Sequence, residues 1–244
     1  MTETGGLSAV PFSVPTELSR VPVPRRPVAG RTVVWLVDTD QSSEAAARHA
    51  PQLLSTDERA RAGSLRRRSD REVYVTAHVA LRILLGRLLE RHPGALPMER
   101  EACHGCGAPH GRPVVRCGQT HFSLSHSGRL ILVAFAVVPV GVDIEQTASS
   151  GVVEEAGNTL HPTECQELDA LPESGRPQAF TEIWTRKEAY LKMLGTGLLR
   201  DTRLDCVGTG RPGSTSGISD TGAQLTPVTV PSGYAAALCV STLA

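Results

Sequence analysis

The stretch VGVDIEQ, residues 140–146, decides how this chain is read. In an extended strand successive side chains leave opposite faces, so Val142 and Ile144 share one face and Asp143 and Glu145 the other. Two carboxylates about 7 Å apart along one strand repel each other, and burial strengthens the repulsion. The segment follows RLILVAFAVVP, residues 129–139, the most apolar run in the chain, so a central position in a sheet is expected. A third carboxylate, Glu188, lies in AFTEIWTRKEAYLKML, 179–194, which reads as a helix stopped by GTG at 195–197. Three acids without histidine or cysteine suit a hard, oxygen-preferring cation, Mg²⁺ or Mn²⁺. Magnesium also binds substrate phosphate, and such an ion would relieve the repulsion.

Glu188 and Lys192 are spaced i, i+4 and share a helix face, where a surface ion pair would contribute about 0.3–0.5 kcal/mol. Composition argues for more. Of 25 basic residues only Lys187 and Lys192 are lysine. Lysine can release a proton and arginine effectively cannot, so both lysines are read as groups for a substrate phosphate or its leaving group. FSLSHSG, 122–128, places Ser125 and His126 side by side. No G-x-S-x-G elbow accompanies them, so they are expected to hold a phosphate rather than form a hydrolytic triad. CHGC, 103–106, has half of a zinc-ligand pattern, with His104, His110, Cys117 and His121 nearby. The basic run DERARAGSLRRRSDR, 57–71, reads as a solvated helix face from which a few arginines reach a phosphate.

The remaining 244-residue chain frames these motifs. Formal net charge is zero, so neither nucleic acid nor an anionic membrane is an expected partner. No apolar run is long enough to span a bilayer, and no basic segment precedes an apolar one at the N-terminus. Six cysteines do not make a disulfide scaffold, and a cytoplasmic protein with reduced thiols is expected. Residues 1–30 are Pro-rich and read as a tail or loose wrapping. A strand is expected at 31–38, a short helix at 43–54, and one or two helices within 55–92 opened by a Ser55/Glu58 capping box. Residues 101–121 are loop-rich, 208–223 form a late loop, and SGYAAALCVS, 232–241, is a closing strand. The same grammar of strand, helix and strand occurs in 31–138 and in 139–244, which suggests two related halves with a cleft between them.

The ordered set FSLSHSG, GVDIE (141–145) and WTRKEAYLK (184–192) followed by GTG, with HGRP at 110–113 before it, resembles the Sfp-type 4′-phosphopantetheinyl transferases. The resemblance runs over residues 55–200. It implies an α+β fold of two pseudo-symmetric α/β halves with the active site in the cleft between them. It implies transfer of 4′-phosphopantetheine from coenzyme A to a serine of an apo acyl or peptidyl carrier protein, releasing 3′,5′-ADP; two halves in one chain make a monomer the expected state. Asp143, Glu145 and Glu188 fall on the metal-binding acids of the family, and Lys192 on the lysine that assists the leaving group. Glu188 is also a candidate base for the carrier serine. Arg61, Arg112, Pro113, Ser125 and His126 fall on coenzyme A contacts, and Lys187 is grouped with them. Glu164 matches another family acid, and the carrier is expected to approach near residues 147–180. Glu58 departs from the pattern, because some relatives carry a second base there. The rival readings are a Mg²⁺-dependent nuclease built on D-x-E and a lysine, and a zinc-binding module centred on 103–121. Fatty-acid, polyketide and nonribosomal-peptide carriers all remain open.

Overall fold

The computed structural model describes residues 7–20, 27–28, 30–103, 106–109, 111–116, 120–211, 217–218 and 221–243. In chain order its first elements are β1 (Leu7–Ser8), β2 (Val10–Phe12), β3 (Val33–Asp38), α1 (Thr39–Leu53), α2 (Thr56–Ser64) and α3 (Arg68–Leu89). A hairpin, β4 (Met98–Arg100) and β5 (Pro113–Val115), leads to β6 (His121–Ser127), β7 (Leu130–Ala136) and β8 (Val140–Gln146). Then come α4 (Ser150–Ala156), α5 (Pro162–Asp169), α6 (Arg176–Leu194), β9 (Ala223–Thr229) and β10 (Tyr234–Ser241). The class is α+β, as expected.

Two four-stranded sheets carry the fold, in the orders β2-β3-β7-β6 and β1-β9-β10-β8. Each has a short parallel strand on one edge and is otherwise antiparallel. Three residues, Val137 to Pro139, take the chain from β7 in one sheet to β8 in the other, so the connection is a crossing and not a hairpin. Strand β7 is buried along its whole length, and its alternation shows why. Ile131, Val133 and Phe135 pack with α1 and α3, while Leu130, Leu132 and Ala134 pack against Val140, Val142 and Ile144 of β8. The layers therefore run helices, sheet, sheet, helix, with α6 covering the outer face of the second sheet.

Gly141 permits that last contact. A Cβ built there would lie 1.9 Å from the Ala189 carbonyl oxygen and 2.5 Å from the Met193 nitrogen, both backbone atoms of α6. Since backbone cannot move aside as a side chain can, Gly141→Ala is expected to destabilise the protein by about 3 kcal/mol or more. Urea unfolding checks this, and a loss below about 1 kcal/mol would show that α6 is not held this closely.

The Pro-rich start is more ordered than its composition suggests. Residues 7–12 form β1 and β2, parallel edge strands on the two sheets, rather than a tail. Phe12 and Val14 are buried in the first core, and Phe12 meets Trp35 edge to face at 5.8 Å. Proline is tolerated on an edge strand, where one row of N–H groups goes unpaired in any case. Helix α1 starts four residues before the expected position, because Asp38 ends β3 and accepts from the Asp40 N–H at 3.0 Å as its N-cap. The Ser55/Glu58 capping box forms as expected. Among the described residues no helix is long and apolar enough to cross a membrane.

Candidate active site

The two sheets meet along β6 and β8, and serines join them. In FSLSHS every second residue is serine, so Ser123, Ser125 and Ser127 share one face of β6. The Ser123 hydroxyl accepts from the Val142 N–H at 3.0 Å. Ser125 donates to Asp143 Oδ1 at 2.6 Å, and Ser127 donates to Glu145 Oε2 at 2.7 Å. Asp143 and Glu145 stand opposite Ala237 and Ala235 on β10, side chains too small to crowd them. Helix α6 then brings Lys192 over the strand. Its ammonium lies 2.6 Å from Asp143 Oδ1 and 3.0 Å from Ser125 Oγ, with 30% of the side chain exposed.

These groups open onto a cavity of about 1740 Å³, lined from the second sheet by Asp143 and Glu145 and from α6 by Trp184, Glu188 and Lys192. The first half of the chain contributes Arg61, Tyr74, His78, Arg82, Ser125 and His126. Burial raises the Asp143 carboxyl above the usual carboxylate range, against the opposing pull of Lys192 and Ser125. Burial also raises Glu145 and Glu188, and each is raised further by the charge on Asp143. The His126 imidazole is held below its usual value, first by burial and then by the Lys192 ammonium, so it is a neutral hydrogen-bonding group at neutral pH.

Of the residues singled out in the sequence, Asp143, Glu145, Glu188, Lys192, Ser125, His126, Arg61 and Pro113 all line this cavity. Arg112 does not. It forms a fork with Glu101 (3.1 and 3.0 Å), donates to the Met193 carbonyl at 3.1 Å, and lines a separate cavity of about 120 Å³. Lys187 is a correction. Its ammonium is buried 2.7 Å from Glu164 and 2.5 Å from the Asp205 carbonyl, away from the cavity. Helical geometry separates the two lysines: five residues turn a helix by about 140° beyond a full circle, whereas Glu188 and Lys192 differ by only about 40°. The two lysines, close in sequence, therefore sit in different surroundings.

Other groups around the cavity went unread. Tyr74 and His78, four residues apart on α3, stack at 3.9 Å. Glu58, the departure from the family pattern, pairs with buried Arg82 at 2.9 Å. Among the described residues no group of three or more His, Cys, Asp or Glu side chains is arranged to hold a metal ion. Lys192 and Ser125 occupy Asp143 Oδ1, and Ser127 holds Glu145. The zinc reading centred on CHGC lies largely outside the described residues, which leave out His104, His110 and Cys117; Cys103 is buried and Cys106 exposed.

Residues 139–239 match the family model described as the 4′-phosphopantetheinyl transferase superfamily. The chain is 30% identical to the 4′-phosphopantetheinyl transferase HetI of Nostoc sp. over 173 residues, 68% of this chain and 70% of that protein. It is 37% identical to the 4′-phosphopantetheinyl transferase psf-1 of Bacillus pumilus over 124 residues, 49% of this chain and 52% of that one. Similarity to the 4′-phosphopantetheinyl transferase Sfp of Bacillus subtilis is 34% identity over 90 residues, 36% of this chain and 40% of that one. The chain thus spans about half or less of the length of the two Bacillus relatives.

Proposed function

The chain belongs to the 4′-phosphopantetheinyl transferase superfamily, and from that premise we propose that it transfers 4′-phosphopantetheine from coenzyme A to a serine of an acyl or peptidyl carrier protein. The observation that carries the reading is the convergence of Asp143, Glu145, Glu188, Lys192, Ser125 and His126 from three elements on one cavity. In the proposed reaction the serine oxygen bonds to the phosphorus that bears pantetheine. The anhydride P–O bond breaks, and 3′,5′-ADP departs. Attack on a phosphoanhydride needs alignment and charge neutralisation more than covalent help. In this reading Glu188, made more basic by burial and lining the cavity, takes the serine proton. In this reading Lys192, 30% exposed to the cavity beside Asp143, offsets charge on the departing phosphate.

The residues suit a magnesium ion in their donor chemistry. Asp143 Oδ2 is buried without a hydrogen-bond partner, and the carboxyls of Glu145 and Glu188 are both pushed up by the Asp143 charge. Asp143, Glu145 and Glu188 would hold it, and when bound it supplies charge neutralisation to the pyrophosphate. The chain crossing at Pro139 is taken as the boundary between the two halves. In this reading the carrier docks along 147–180, and the exposure of Val152 of α4, 46%, supports it.

The ion has a stability consequence. Folded-state values above the ordinary carboxylate range mean that the ion-free protein loses stability as these acids ionise with rising pH. A cation binds the ionised form. Mg²⁺ at about 100 times its Kd is therefore expected to add about 2.7 kcal/mol near pH 7.5, and much less near pH 5.5. Thermal melts at both pH values with and without Mg²⁺ measure it, and a Mg²⁺ shift independent of pH would remove the three acids from the role. The activity itself is tested by mass spectrometry. With Mg²⁺ and coenzyme A, an apo carrier should gain one phosphopantetheine, and no gain with fatty-acid, polyketide and peptide carriers alike would overturn the proposal.

A further inference from the structure

Lys192 and Met193 are consecutive residues in the last turn of α6, and each is held from the first half of the chain. The Lys192 ammonium donates to Ser125 Oγ of β6 at 3.0 Å. The Met193 carbonyl accepts from Arg112 at 3.1 Å, across 81 residues of sequence. The last carbonyls of a helix find no partner within it, and they form the negative end of its dipole. The Gly195 N–H, in the left-handed cap of α6, takes the Leu191 and Lys192 carbonyls at 3.0 and 3.2 Å. Arg112 takes the next carbonyl and brings a cation to that end of the helix.

Arg112 is itself braced. Its Nε and Nη2 fork onto the Glu101 carboxylate at 3.1 and 3.0 Å, a planar match that fixes the direction of the guanidinium. The backbones are tied as well: the Glu101 N–H donates to the Arg112 carbonyl, and the Gly111 N–H to the Glu101 carbonyl, both at 2.9 Å. A Cβ at Gly111 would lie 2.7 Å from that Glu101 oxygen, so the two segments close tightly. They flank the paired strands β4 and β5, whose Met98, Glu99, Arg100 and Pro113 line the main cavity. Arg112 thus joins one wall of the cavity to the end of the helix that presents Glu188 and Lys192. The family resemblance puts Arg112 on a contact to coenzyme A. Here three of its nitrogens are taken by protein acceptors, and it lines the small cavity instead of the main one.

We propose that Arg112 is a positioning residue: held by Glu101, it caps α6 from the β4–β5 hairpin and fixes the turn that sets Lys192 against Asp143 and Ser125, without itself binding coenzyme A. The consequence for turnover rests on the transferase reading, whereas the cap does not. In Arg112→Met, hydrogen exchange at the Gly195 amide should quicken at least about tenfold, while amides in the middle of α6 keep their rates. Per folded molecule kcat should fall about tenfold or more, because a small displacement of the turn misplaces Lys192. The KM and the calorimetric Kd for coenzyme A should stay within about twofold. Glu101→Gln separates the two roles. It loosens the fork at a side chain 36% exposed and keeps the Arg112 charge. As part of the cap it should lower kcat about threefold at constant KM. If Arg112 bound a phosphate, the same change would free the cation and lower the KM, and Arg112→Met would raise it about tenfold. Melting curves give the folded fraction of each variant, and Glu101→Gln carries the test where Arg112→Met does not fold. Unchanged exchange at Gly195, an unchanged kcat, or a shifted KM overturns the proposal. Faster exchange in the variants of a chain whose parent modifies no carrier leaves the cap standing and removes the transferase reading instead.

Discussion

Asp143→Asn is expected to lower carrier modification by about 10²–10³-fold while leaving the protein folded. Asparagine keeps the shape and an acceptor for Ser125, so the contact between β6 and β8 at this position survives. What disappears is a charge that raises Glu145 and Glu188 and pairs with Lys192. Folding should be insensitive to its removal. Burial raises the carboxyl above its ordinary range, so removing its charge relieves a desolvation cost. Against that stands the lost pairing with Lys192, a side chain 30% exposed and able to recover solvation. The two effects oppose, so a stability change within about 1 kcal/mol is expected. The variant should also lose the Mg²⁺-dependent rise in melting temperature. Full turnover in Asp143→Asn would sink the assignment of the acidic cluster, whatever its effect on melting.

Which parts of this design can be read from the chain depends on the range of the interactions involved. The alternation in VGVDIEQ put Asp143 and Glu145 on one face, and the i, i+4 spacing put Glu188 and Lys192 on another element's matching face; both follow from local geometry. The capping box at Ser55 is equally local. What escaped notice depends on distant partners. Arg112 is turned from the main cavity by Glu101 on the same hairpin loop and by a carbonyl of α6, 81 residues later. The prolines of the N-terminal segment mark edge strands only because β3 and β9 are there to pair with. Ser123, Ser125 and Ser127 could have been recognised, since serine at every second position of a strand is a period-2 signal, but their partners lie 18 or 19 residues on, in the other sheet.

The buried pair Glu164–Lys187 yields the largest expected effect on stability, and an order within it. Glu164 is fully buried and meets Lys187 at 2.7 Å; its Oε1 also accepts from the Val207 and Gly208 N–H groups at 2.7 and 3.1 Å, and its Oε2 from the His161 N–H at 2.9 Å. It therefore ties together α5, the segment 205–208 and α6, the helix that presents Glu188 and Lys192. Glu164→Leu strands the Lys187 ammonium in a site where it is only 2% exposed, with the Asp205 carbonyl as its remaining partner, and orphans three backbone donors. A loss of about 3–5 kcal/mol is expected, enough to unfold a marginally stable domain. Lys187→Met removes the cation but leaves the carboxylate with its three N–H donors, so it should cost less, about 1–3 kcal/mol. In the double variant neither charge is stranded, and the combined loss should fall well short of the sum. Urea unfolding of the three proteins measures this, with turnover per folded molecule as the second readout. If Lys187 instead contacted the substrate, Lys187→Met would retain its stability and lose activity; the buried pair predicts the reverse, a protein that melts earlier and turns over normally while folded.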